Sequence, residues 1–84
     1  MPLKEDFLTA ANDVQKLSQR PTTDTLLKLY SLYKQATDGD ASGDRPGMLD
    51  IKGRKKFDAW AARKGMKPET AMKEYVAVVK ALLI

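Results

Sequence analysis

The apolar residues of this chain recur at spacings of three and four, in four separate runs. Nothing in it alternates with the period of two that a half-buried strand requires. That pattern restricts the fold to packed helices. Leu3, Phe7, Ala10, Ala11, Val14 and Leu17 mark a first helix over about Lys4 to Ser18, with Gln19, Arg20 and Pro21 as its end. Thr22 or Thr23 caps a second helix reaching about Thr37. Its apolar set, from Leu26, Leu27 and Leu29 through Tyr30, Leu32 and Tyr33 to Ala36, is wider than one stripe. A helix of that kind must face two things, either two neighbours or a neighbour and a ligand.

A Gly- and Asp-rich loop is expected over Asp38 to Leu49. Asp50 then caps a third helix, about Ile51 to Lys64, which Gly65 stops. Its inward candidates are Ile51, Phe57, Trp60 and Ala61. Pro68 suits the first turn of a fourth helix, where Glu69 complements the dipole. Ala71, Met72, Tyr75, Val76, Val79, Leu82 and Leu83 form its stripe. Eighty-four residues make one domain, spanning 1–84.

Composition narrows the chemistry. There is no cysteine and no histidine. Disulfides, thiolate nucleophiles, imidazole bases and His/Cys metal sites are therefore excluded. A binding module is favoured over an enzyme. The first residues carry acids at once and no apolar signal core, and the longest apolar run, Tyr75 to Val79, is too short to span a bilayer. The expectation is a cytoplasmic protein that makes at most transient membrane contact. Nothing argues against a monomer.

Charge is concentrated. Between Asp50 and Lys67 stand seven bases and two acids, net +5, while the rest of the chain sums to −1. Such a field favours an anionic partner: phosphate, nucleic acid or an acidic membrane. A solvated helix face is the bland alternative.

Three signals bear on function. Asp38-Gly39-Asp40-Ala41-Ser42-Gly43 resembles the start of a calcium loop, but Leu49 stands where the bidentate Glu belongs, Arg45 is at the usually apolar eighth position, and Pro46 stiffens the middle. No metal site is expected. Tyr30, Tyr33 and Lys34 sit at i, i+3 and i+4 and share a helix face, suiting a base against a ring and a phosphate against an ammonium. Lys52, Lys55 and Lys56 add charge on the third helix, where Lys52 and Lys56 are one turn apart and share a face, and Tyr75 on the fourth could border the same cavity. The competing readings are half-buried core tyrosines, a basic helical nucleic-acid-binding module at Lys52 to Lys67, and a partner-docking adaptor.

Several strings then stand out together: Tyr30-Ser31-Leu32-Tyr33-Lys34-Gln35-Ala36-Thr37, Gly39-Asp40, Arg45-Pro46-Gly47-Met48-Leu49-Asp50, Lys52-Gly53, and Lys56-Phe57-Asp58-Ala59-Trp60. They resemble the signature of the acyl-CoA-binding protein family. The likeness runs ungapped from Tyr30 to Trp60 and extends to Phe7, Ala10 and Ala11 early and to Ala71, Met72 and Tyr75 late. It implies an all-α, up-down four-helix bundle of the acyl-CoA-binding protein type. The implied ligand is a long-chain fatty acyl-CoA ester, carried and pooled inside the cell, with no catalysis, no cofactor and no nucleic acid.

Carried over by position, Tyr30, Ser31, Leu32, Tyr33, Lys34, Lys52, Lys56 and Tyr75 fall on ligand-contacting positions, with Gln15, Phe7 and Ala11 as weaker candidates. Tyr33 would lie by the adenine. Tyr30, Lys34 and Lys56 would hold phosphates, and Leu27 would line the acyl chain. Two residues depart from the pattern. The family often has Lys where this chain has Gln15, and Lys16 points about 100° away on a helix. It commonly has Trp at the position of Phe57.

Overall fold

The computed structural model describes residues 2–83. Among the described residues there are four helices: α1 Leu3–Val14, α2 Thr23–Asp38, α3 Ile51–Ala61 and α4 Pro68–Leu83. Each start follows local chemistry. The Thr22 hydroxyl accepts from the Thr25 amide at 3.2 Å, and Asp50 Oδ1 accepts from the Gly53 amide at 2.9 Å. Pro68 opens α4, where its missing N–H costs nothing.

Two helices end earlier than their periodicity suggests. After Val14 the Lys16 amide reaches back three residues, to Asp13. After Ala61 the amides of Arg63 and Lys64 do the same, to Trp60 and Ala61. Tightened last turns of this sort unwind the helix before the sequence stops looking helical. Gly65, at φ +89°, then turns the chain.

The expected all-α four-helix architecture holds, and among the described residues there is no strand. Backbones approach closely between α1 and α4, α2 and α4, and α2 and α3. α2 therefore sits between two neighbours, which accounts for its broad apolar face. Directions run up, down, down, up. Tyr30 and Trp60 show α3 parallel to α2: Lys56 lies over the Tyr30 ring, and Trp60, one turn later, bonds to Gly39 beyond the end of α2. The segment 39–50 must carry the chain back along α2 to allow this.

The core is Phe7 and Ala10 of α1, Leu29, Leu32 and Ala36 of α2, and Ala71, Tyr75 and Val79 of α4. α3 contributes no fully buried residue. Phe57, Trp60 and Ala61 are half-buried as inward candidates, but Ile51 is 65% exposed. Its expected inward role is corrected: it lies at the start of a helix that packs on one neighbour only. Leu83, placed in the α4 stripe by spacing, is likewise exposed, at the last described turn.

Buried Gln35 joins the segments that the helices leave loose. Its Nε2 donates to Asp40 Oδ1 at 2.8 Å and to the Met66 carbonyl at 2.9 Å. Asp40 also accepts from the Gly65 amide at 2.8 Å. The Gly65 amide, then Gln35, holds the Asp40 carboxyl below its ordinary range. Of the acids in the calcium-like string, Asp40 is thus engaged here and Asp38 pairs with Lys34. Arg45 closes the other end of the loop, with Nε and Nη2 on the two Asp58 oxygens at 2.9 and 2.7 Å. Arg54 Nε donates to the Pro46 carbonyl at 3.0 Å.

Replacing Gln35 by Ala leaves two loop acceptors without this donor inside the fold. A loss of about 2–3 kcal/mol is expected, read as a lower urea midpoint with an unchanged slope.

Candidate functional site

Three aromatic rings from three helices meet beside the core. Phe7 stacks on Tyr33 with centroids 5.5 Å apart. It meets Tyr75 edge-on at 5.1 Å, and Tyr33 and Tyr75 are 6.1 Å apart. Such arrangements are favourable beyond the area they bury. Phe7 is only 2% exposed, so it works from behind, bracing two tyrosines that reach an open hollow.

That hollow has a volume of about 700 Å³ and is walled by Ala11, Gln15, Arg20, Tyr30, Tyr33 and Tyr75, among others. A second, of about 330 Å³, is walled by Leu27, Lys52, Lys55 and Lys56. Arg20, Leu26 and Tyr30 border both. Tyr30 is thus the shared wall between an aromatic compartment and a lysine-lined one. The Lys56 ammonium lies 5.3 Å from its ring centroid, which fixes the cation at the seam. Burial raises the Tyr75 phenol, with a smaller push from Tyr33, so Tyr75 stays a protonated donor at neutral pH.

The sequence candidates divide three ways. Tyr30, Tyr33, Tyr75, Ala11 and Gln15 line the first hollow, and Lys52, Lys56 and Leu27 the second. Ser31 and Leu32 lie behind these walls. The Ser31 hydroxyl donates to the Lys28 carbonyl at 2.8 Å and accepts from Arg63 Nε at 3.2 Å, while Leu32 is wholly buried in the core. Lys34 lines neither hollow. Its ammonium pairs with Asp38 one turn on and lies 4.7 Å from the Trp60 ring centroid. The Asp38 hydrogen bond raises its pKa, against a smaller effect of desolvation. Positions 33 and 34 are about 100° apart on a helix, so packing α2 between α4 and α3 sends Tyr33 one way and Lys34 the other.

The chain matches the family model for acyl CoA binding protein over residues 4–79. It is 48% identical to an acyl-CoA-binding protein homolog of Manduca sexta over 84 residues, covering 99% of this chain and 93% of the relative. It is 49% identical to an acyl-CoA-binding protein of Brassica napus over 83 residues, covering 99% and 90%. The crystal structure of acyl-CoA-binding protein 2 from Oryza sativa superposes with a TM-score of 0.92 at 41% identity, covering 98% of this chain and 91% of that one.

The chain belongs to the acyl-CoA-binding protein family. That family is one of non-catalytic carriers. Nothing in these matches supports the nucleic-acid reading of Lys52 to Lys67. The geometry disfavours it as well, because the basic run is not one face. Arg54 and Arg63 are turned to Pro46 and Ser31, and only Lys52, Lys55 and Lys56 of the run line the second hollow.

Within this acyl-CoA-binding-protein fold, sequence reasoning missed one cation, Arg20. Arg20 was legible only as part of a helix stop. The one available signal was a guanidinium immediately before Pro21, in a link short enough to hold it near α2. Lys55, grouped with Lys52 and Lys56 by charge but not carried over as a ligand-contacting position, lines the second hollow with them.

An alkaline absorbance titration should show the Tyr75 phenol ionising above 10.0, the ordinary tyrosine value. That component should vanish in Tyr75→Phe.

Proposed function

We propose that this chain binds long-chain fatty acyl-CoA in the paired hollows and carries it in the cytoplasm as a monomer, without chemical change. The observation that supports the reading is Tyr30, standing as the common wall of the aromatic and the lysine-lined hollows with Lys56 over its ring. A ligand that joins an adenine, phosphates and a hydrocarbon tail needs such adjoining surfaces of different chemistry. Tyr33 would meet the adenine, Tyr30 and Lys56 the phosphates, Lys52 a further contact, and Tyr75 would donate its hydroxyl. Leu27 and Leu26 would run beside the acyl chain.

Lys34 takes part by exchanging one anion for another. Its carboxylate partner Asp38 is exposed, so the pair is weakly held in water. A ligand phosphate with more charge would draw the ammonium off. Gln15 lacks the cation many family members carry there. Arg20 borders the same hollow and supplies a positive charge from the neighbouring link.

Magnitudes explain why both ends of the ligand matter. Burying ten or so methylenes at ~0.8 kcal/mol each yields on the order of 8 kcal/mol. Charge-assisted hydrogen bonds to phosphate add about 1.5–3 kcal/mol each. Ordering the ligand removes several kcal/mol. Free fatty acid lacks the polar handle and free CoA lacks the tail, so each binds far more weakly than the ester.

Titration calorimetry with palmitoyl-CoA tests the reading. Lys34→Ala is expected to bind at least ~10-fold more weakly, with the helical circular dichroism intact. Native affinity in that variant removes Lys34 from the site. A native chain that releases no heat with palmitoyl-CoA, or binds free CoA equally well, overturns the function.

A further inference from the structure

Gly47 to Asp50 form a tight turn, closed by the Asp50 amide on the Gly47 carbonyl at 3.0 Å. Its two central residues are Met48 and Leu49, 78% and 99% exposed. Ile51, one residue past the turn, is 65% exposed. Turn corners usually carry Gly, Asn, Asp, Ser or Pro, whose side chains suit water or the turn geometry. Here the most protruding positions carry large apolar side chains instead.

The turn is also held in place. Asp50 is engaged by the Gly53 amide, Arg54 holds the Pro46 carbonyl, and Arg45 ties the preceding loop to Asp58 on α3. Asp50 and Asp58, the carboxylates of this stretch, thus already accept from the Gly53 amide and from Arg45. The cations that follow the turn have no such partner: Lys52, Lys55 and Lys56 make no ion pair within 4.0 Å among the described residues. Ile51 and Lys55 are one helical turn apart and share a face. An apolar tip thus stands beside a cluster of ammonium groups.

We propose that Met48, Leu49 and Ile51 dock this protein on an anionic lipid surface. The side chains enter the boundary between headgroups and acyl chains, and Lys52 and Lys55 meet lipid phosphates and carboxylates. Either signal alone is weak, and the two together give reversible attachment. A convex tip of three side chains is too small for a stable protein interface, which needs about 1,000 Å² or more. A bilayer needs no matching pocket. Lys52 and Lys55 also line the second hollow beside Leu27, so docking presents that hollow to the lipid. Its use for loading acyl-CoA rests on the reading above, whereas the docking itself does not.

Flotation with vesicles of phosphatidylcholine, with and without phosphatidylserine, tests this without any acyl-CoA, so its failure is distinct from failure of the calorimetry. The native chain is expected to float with the anionic vesicles and at least ~5-fold less with the neutral ones. Leu49→Asp and Met48→Asp should each lower anionic binding at least ~5-fold, with unchanged melting because both residues are exposed. Lys55→Gln should weaken it less and flatten its dependence on salt. The proposal is overturned if both Asp variants float like the native chain. It is equally overturned if the native chain ignores anionic vesicles, which leaves an acidic protein face as the occupant.

Discussion

The structure depends on α2 being apolar or tightly packed over more than half its circumference. It is the one described helix that approaches both α3 and α4. Leu29, Leu32 and Ala36 are buried in the core, Trp60 of α3 stands over Lys34, and Tyr33 joins the ring cluster with Phe7 and Tyr75. Because α2 is shared, α1 and α3 never need to approach one another. The sheet-like molecule that results is only 15 Å through its thinnest axis. A broad, thin arrangement of helices leaves grooves between neighbours that a closely squared bundle would fill with side chains.

Those grooves are of two characters because the helices flanking α2 are. Toward α1 and α4 the walls are aromatic and aliphatic. Toward α3 they carry lysines. Polar anchors then decide which cations remain available. Arg45 and Arg54 hold the crossover loop, and Arg63 holds Ser31. Each is a guanidinium, whose planar fork suits a fixed partner. The residues left facing the second hollow on α3 are lysines, which are mobile point charges. Arg20 is the exception, lying outside the helices at the border of both hollows.

Much of this was legible beforehand. Spacing located all four helices, because each must bury a stripe and the period of that stripe is set by helix geometry. Thr22, Asp50, Gly65 and Pro68 marked boundaries through chemistry that acts within a few residues. Tyr30, Tyr33 and Tyr75 were legible as companions partly from residue type and more from the family pattern. Ends were less legible. α1 and α3 lose their final turns to bonds that reach back three residues rather than four, and no residue type commands that choice. Ile51 was misplaced because an apolar residue at a helix start looks the same whether the helix has one neighbour or two.

By itself, the sequence determined the helices, their caps, the family and the presence of a strongly basic segment, since these follow from periodicity, local hydrogen bonding and residue identity. Tertiary structure alone decided the directions up, down, down, up, the separation of Tyr33 from Lys34, and the seam at Tyr30 where two hollows join. It also decided which basic side chains are committed to the fold and which face the hollows. The physical reason is the same in each case. A side chain's direction is set along its own helix by the backbone, but its partner is set by the helix packed opposite, and that depends on contacts between residues far apart in the chain.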